Sequence, residues 1–267
     1  MVPPQRQLDA ATQQQIERLQ RHCVVELESV RQFHTWLDDK RQCRQACRVI
    51  GDSRTGKTFA CNAYRLKSTL NQTNGDAPIV PVIYWHATTE TGQRELFVGL
   101  LKHLKYRITN GTISDLRERV YRLLRACQVE MIIVDEAHRF RPKTFSEIRD
   151  IFDLLGIAVV LVGTDRLDAV VRRDEQVHNR FMACHRFHRF DGQALEDTTA
   201  IWEEYVLRLP QPSNLTSAAM QKILGATTHG YLGALDEILR NAARRALQNG
   251  QSRIEASLLS QVALEYK

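Results

Sequence analysis

This sequence predicts an α/β fold: a doubly wound parallel sheet of five strands followed by a small helical C-terminal region. Three observations carry the prediction. The octapeptide GDSRTGKT, Gly51 to Thr58, has the spacing of a loop that wraps phosphate groups. MIIVDEAH, Met131 to His138, reads as a strand buried on both faces that delivers two acids at its carboxyl end. Between residues 48 and 190, short β-rich runs alternate with helical patterns, as parallel βαβ units require.

The elements follow in order. Residues 1–47, containing QQQIERLQRHCVVELESVRQFHTWLDDKRQ, are helical in pattern and are expected to form an N-terminal extension. The core, residues 48–190, opens with a strand at Arg48 to Gly51 and a helix that starts at the loop around Gly56. After an NGDAP turn comes a strand from Ile79 to Trp85, then helices between Arg94 and Cys127, then the strand Met131 to Asp135. A helix from Phe145 to Leu155, a strand from Ile157 to Gly163, a helix around Arg166 to Phe181 and a short strand from Arg186 to Phe190 complete it. In residues 191–267, Leu235, Ile238, Leu239, Ala242, Ala243, Ala246 and Leu247 recur at helical spacing, with Asp236, Glu237, Arg240, Arg244 and Arg245 largely opposite. That region reads as a helical lid.

With 267 residues, 43% of them hydrophobic, the chain can bury a substantial core. No apolar run approaches the roughly eighteen residues of a membrane span, and MVPPQRQ lacks the apolar stretch of a secretion signal. The expected location is the cytoplasm. Six cysteines show no paired CxxC spacing, so packed, reduced thiols are favoured over zinc or disulfides. Cys184, His185 and His188 lack the second cysteine pair of a zinc site.

Each residue type in the two motifs has a physical reason to be there. Glycines let the backbone turn so that several N–H groups face one anion, and the helix start adds partial positive charge. The expected nucleotide contacts are Gly51, Asp52, Ser53, Arg54, Thr55, Gly56, Lys57, Thr58 and Phe59. Lys57 is suited to the β- and γ-phosphates of ATP, and the Thr58 hydroxyl to Mg²⁺. Asp135 is the second expected Mg²⁺ ligand, and Glu136 is placed to polarise an attacking water. Thr164, in LVGTDRL at the end of the fourth strand, offers a hydroxyl for the γ-phosphate or that water; helix capping is its structural alternative. Arg180, in RRDEQVHNRF, is the candidate for stabilising transition-state charge in a neighbouring subunit, against a plain surface arginine. The letters DEAH also occur in helicases, but those need two such domains and this chain has room for one.

The net charge of +6 favours an acidic partner. Arg94, Lys102, Lys105 and Arg107 are interleaved with the apolar stripe Leu96, Phe97, Leu100, Leu101 and Leu104. A polyanion such as duplex DNA would be drawn to these cations, with Asn110 and Thr112 in reach of phosphate oxygens. A solvated helix face accounts for the same pattern, and a second basic run, Lys40, Arg41, Arg44 and Arg48, is equally ambiguous.

GDSRTGKT, LKYRITNGTISD, GIAVVLVGTDRLDAV, RRDEQV and GYLGALDEILR together resemble AAA+ ATPases of the transposition-regulator type, over about Trp36 to Lys267. More closely, the sequence is similar to the TnsC family of CRISPR-associated transposons with a type V-K effector. The resemblance implies an AAA+ P-loop core with a helical lid, and ATP-driven assembly into a homo-oligomer, a helical filament or ring, around duplex DNA. It implies the partners TnsB (the transposase), TniQ and an RNA-guided Cas effector, no membrane, and a nucleoid-associated location. By matched position, Lys57, Thr58, Asp135 and Glu136 form the hydrolytic site, Thr164 is a sensor and Arg180 the finger. Arg94 and Thr112 correspond to DNA-backbone contacts, which favours DNA over the solvated face. The sequence departs from the wider AAA+ pattern at Ala234, where many lids carry a sensing arginine; Arg240 comes later. The remaining alternatives are a helicase-loader or remodelling ATPase, a nucleotide-gated scaffold with incidental hydrolysis, and a signalling switch with no DNA partner.

Overall fold

The computed structural model contains five strands: β1 (Cys47–Gly51), β2 (Val82–His86), β3 (Met131–Asp135), β4 (Ala158–Gly163) and β5 (Ala183–Phe187). The structure describes residues 9–21, 25–70 and 78–266; MVPPQRQ, Cys23 and all of the NGDAP turn but Pro78 lie outside them. The strands pair in parallel in the order β2-β3-β4-β1-β5. Every residue of β1, β3 and β4 is buried, as central strands covered on both faces must be. β1 lies between β4 and β5, so connections leave in opposite directions and open a crevice at the strands' carboxyl ends.

The helices are α1 (Ala10–Gln20), α2 (Glu28–Gln42), α3 (Lys57–Lys67), α4 (Gln93–His103), α5 (Ile113–Ala126), α6 (Pro142–Leu155), α7 (Asp165–Val171), α8 (Glu175–Arg180), α9 (Gly192–Ile201), α10 (Ala218–Thr228), α11 (Leu232–Gln248) and α12 (Ala256–Leu264). The helix expected around Arg166 to Phe181 is two helices, because the Asp174 carboxylate accepts from the amides of Gln176 and Val177 and starts a new N-terminus. β2 begins at Val82 rather than Ile79, after Pro81, which has no N–H to give to a ladder. β5 runs from Ala183 to Phe187 rather than from Arg186 to Phe190. Its register is set by β1, from Cys47 opposite Ala183 to Gly51 opposite Phe187, while the Phe190 amide donates to the Gly230 carbonyl.

The chain forms two compact units, residues 28–187 and residues 1–27 with 188–267. The expected extension 1–47 is therefore divided between them. In the first unit α2 buries Val30, Phe33, His34 and Leu37, and Phe33 packs against the rings of His185 and Phe187, each 4.9 Å away. In the second, two arginines hold α1: Arg18 donates to the carbonyls of Val206 (2.8 Å) and Leu207, and Arg240 to those of Leu19 (2.7 Å) and Arg21 (3.0 Å). Arg240 also pairs with Asp236 at 2.7 Å. The apolar stripe of α11 is buried as expected.

The second basic run is structural. Arg41 pairs with Glu130 at 2.6 Å, Lys40 sits over the Trp36 ring, and Arg44 donates to the Gly156 carbonyl. Arg48, buried in β1, pairs with Asp168 at 2.9 Å and donates to the carbonyls of Phe181 and Met182. Removing one member of such a pair strands the other charge. Asp168→Ala is therefore expected to lower stability by roughly 3 kcal/mol, and Arg48→Met by clearly less because Asp168 keeps Arg172 at 2.9 Å, in urea unfolding of the two variants.

Candidate functional site

β1 delivers the chain to the crevice, and the loop after it closes on itself. A Cβ at Gly51 would stand 2.6 Å from the Phe187 carbonyl oxygen, so β5 leaves room for glycine alone. Gly56, the N-cap of α3, has φ +94°, a conformation glycine adopts without strain. The Thr55 hydroxyl donates to the Asp52 carbonyl at 2.8 Å. The Lys57 ammonium is buried and donates to the carbonyls of Gly51 (2.8 Å) and Asp52. Burial lowers its pKa, against the opposing fields of Asp135, Glu136 and Asp52.

β3 ends at Asp135, whose side chain is 0% exposed. Its Oδ2 accepts from the Thr58 hydroxyl at 2.7 Å and from the Tyr84 hydroxyl at 2.6 Å; its Oδ1 accepts from the Glu136 amide at 2.9 Å. Glu136 has φ +56°, left-handed for a residue with a side chain, and its carboxylate lies 3.2 Å from Arg139 and 3.5 Å from His138. Burial lowers the pKa of His138. At the end of β4 the Thr164 hydroxyl is buried without a hydrogen-bond partner, and it makes no capping bond to α7. Thr164 thus occupies the N-cap position of α7 without its side chain capping the helix.

The donors fit the groups the sequence implies. The Thr58 hydroxyl and the Asp135 carboxylate are hard oxygen donors, side by side, of the kind Mg²⁺ selects. The unpaired Thr164 hydroxyl supplies the polar group such a site leaves waiting for a ligand. Lys57 and Thr58 open α3 after β1, Asp135 ends β3 with Glu136 next to it, and Thr164 follows β4, so all five stand at the carboxyl ends of β1, β3 and β4. Arg180 does not join them. It closes α8, is 42% exposed, and lies 3.5 Å from Asp153 of α6.

The five candidate DNA contacts divide into two groups. Arg94 donates to the carbonyls of Gly111 (2.8 Å) and Thr109 (3.5 Å), so it clasps the loop that carries Asn110 and Thr112. Thr112 is also the N-cap of α5, in reciprocal bonds with Asp115. Lys102 and Lys105 are exposed toward the far end of α4, roughly 12 Å along the helix from Arg94. Sequence reasoning missed Tyr84. Its signal was weak: a tyrosine two residues before His86 faces Asp135 only because β2 pairs with β3 in the register His86 opposite Asp135. His185, weighed as a metal ligand, instead packs in the ring cluster of Phe33, Trp36 and Phe187.

Comparison with known proteins identifies the family and the fold. The family profile described as "Bacterial TniB protein" matches residues 12–190. The ORC1-type DNA replication protein 1 of Halobacterium salinarum is 25% identical over 137 residues, 51% of this chain and 43% of that protein, so the match spans less than half of that relative. Among solved structures, Aeropyrum pernix ORC2 with ADPNP and ADP aligns at TM-score 0.73 with 13% identity, covering 93% of this chain and 71% of that one. Pyrobaculum aerophilum Cdc6p aligns at TM-score 0.72 with 16% identity over 94% and 70% of the two chains. Aeropyrum pernix ORC1 in complex with DNA aligns at 0.68 with 16% identity over 94% and 69%. These likenesses establish an α/β AAA+ fold of the Orc1/Cdc6 type with a C-terminal helical region.

An unpaired buried hydroxyl is a stability penalty that a methyl group of the same shape removes. Thr164→Val is expected to raise the stability of the nucleotide-free protein by about 1 kcal/mol in chemical denaturation.

Proposed function

The chain belongs to the bacterial TniB family, and from that premise we propose that it is an ATP-dependent, DNA-associated assembly ATPase of DNA transposition. The observation that carries the reading is the 2.7 Å bond from Thr58 to Asp135, which joins the phosphate loop to an acid 77 residues away. A magnesium nucleotide calls for a hydroxyl and a carboxylate side by side at this place.

On this reading Lys57 leaves the carbonyls of Gly51 and Asp52 for the β- and γ-phosphate oxygens, and the loop amides take the remaining phosphate charge. Thr58 and Asp135 hold Mg²⁺, which when bound neutralises charge shared by the β- and γ-phosphates. Glu136, turned away from Asp135 by its left-handed backbone, orients the water and takes its proton. The Thr164 hydroxyl gains its missing partner from the γ-phosphate or that water. Arg180 reaches the nucleotide of a neighbouring copy, so that ATP joins subunits into a filament or ring on duplex DNA. The Arg94 loop follows the DNA backbone with little sequence preference. Support comes from the relatives' own structures, one holding ADPNP and ADP and others holding DNA. The likeness to TnsC extends the proposal to helical assembly, to the partners TnsB, TniQ and an RNA-guided effector, and to work on the nucleoid.

Electron microscopy of the protein with duplex DNA and a nonhydrolysable ATP analogue tests the reading. Regular assemblies on DNA are the expected result, and nucleotide binding without any DNA-dependent assembly would refute it. Glu136→Gln should keep assembling while ATP turnover drops by about a hundredfold, each factor of ten being 1.4 kcal/mol of barrier. If Glu136→Gln supports transposition unimpaired, the protein is a nucleotide-gated scaffold instead. Arg94→Ala should weaken duplex binding and lower the log–log salt slope by about one, the signature of a lost phosphate contact.

A further inference from the structure

Tyr84 is a half-buried tyrosine on an edge strand, and neither the phosphate loop nor the acidic strand end accounts for it. Its hydroxyl lies 2.6 Å from Asp135 Oδ2, the same oxygen that receives the Thr58 proton. His86, next along the same face of β2, stands 3.8 Å from that oxygen, beyond hydrogen-bonding distance. Asp135 thus receives donors from three directions: α3 through Thr58, β2 through Tyr84, and its own chain through the Glu136 amide.

Each donor acts differently. The Glu136 amide holds Oδ1 and leaves rotation about the carboxylate's bond to its chain checked at one oxygen only. Thr58 is itself a proposed metal ligand, and its hydroxyl must present its lone pairs to the ion while its proton points at Asp135. Tyr84 has no competing duty. It stands on a strand whose backbone is locked to β3 by the ladder from Val82 opposite Met131 to His86 opposite Asp135. A donor fixed in that way holds Oδ2 in one position whether or not Thr58 is engaged elsewhere.

We propose that Tyr84 is a positioning residue for the magnesium nucleotide: its hydroxyl bond to Asp135 Oδ2 aims the carboxylate so that the Thr58 lone pairs face the metal. The proposal rests on the magnesium-ATP reading above. Hydrogen bonds to ligating carboxylates from outside the coordination sphere commonly govern metal affinity, and here the supporting group comes from the sheet's edge rather than from either nucleotide motif.

The test is binding of a fluorescent ATP analogue, titrated with MgCl₂ and repeated in EDTA, for the wild type, Tyr84→Phe and Tyr84→Gln. Phenylalanine keeps the shape and deletes the donor; glutamine keeps an N–H donor and loses the shape. The Mg²⁺ concentration for half-maximal binding is expected to rise about tenfold in Tyr84→Phe, by the usual effect of such partners, with binding in EDTA unchanged. Tyr84→Gln is expected to fall between Tyr84→Phe and the wild type. Equal Mg²⁺ dependence of Tyr84→Phe and wild type would overturn the proposal, as would an equal loss of affinity with and without metal, which would mark Tyr84 as packing alone. If Tyr84→Phe does not fold, Tyr84→Gln decides: a binding curve needing more Mg²⁺ than Tyr84→Leu overturns the proposal. Absence of any Mg²⁺ effect in the wild type would instead refute the parent reading.

Discussion

A carboxylate with no exposure to solvent is the constraint around which the crevice at the carboxyl ends of the strands is organised. Burying an ionised acid is unfavourable by several kcal/mol unless its lone pairs are met. Asp135 meets that demand with donors from three chain segments, Thr58 on α3, Tyr84 on β2 and the following amide. The demand therefore acts as a tie: α3 must start where Thr58 can reach the end of β3, and β2 must keep the register that brings Tyr84 to the same oxygen. The phosphate loop, strung between β1 and α3, inherits its position from that tie.

Within this frame the crevice carries features that a structure selected for stability alone would lack. Lys57 is desolvated and held by backbone carbonyls, Glu136 stands in a left-handed conformation, and the Thr164 hydroxyl is buried unpaired. Such departures gather where ligands bind, because a group already satisfied by the protein has nothing to offer a substrate. The Lys57 contacts show a compromise: the carbonyls of Gly51 and Asp52 keep the loop closed yet bind the ammonium more weakly than phosphate oxygens would.

Positive charge divides into structural and available parts. Arg48, Arg18 and Arg240 spend their guanidinium donors on backbone carbonyls and acids, fixing β1 to α7 in one unit and α1 to its neighbours in the other. Arg94 is intermediate, since it orders the loop before α5 while remaining exposed. Lys102 and Lys105 lie on the exposed surface of the same segment. A phosphate-following surface needs both kinds: cations, and a backbone held still enough to present them.

The sequence by itself determined the sheet, its five strands and the glycine-rich loop after β1. Those features depend on local spacing: uninterrupted apolar runs at β3 and β4, glycines where the loop turns, and acids at the end of a buried strand. What it could not determine depended on pairing between distant segments. The run that includes Arg48 was ambiguous in sequence, and Arg48 is buried because Asp168 comes to meet it from α7. β5 took its register from β1 rather than from its own composition. Residues 9–20 joined the C-terminal unit because arginines on both sides found carbonyls there. Tyr84 became part of the site only when β2 aligned with β3. In each case the deciding partner lies tens to hundreds of residues away, and no periodicity within a single segment encodes which distant group will satisfy a buried charge or an open hydrogen bond.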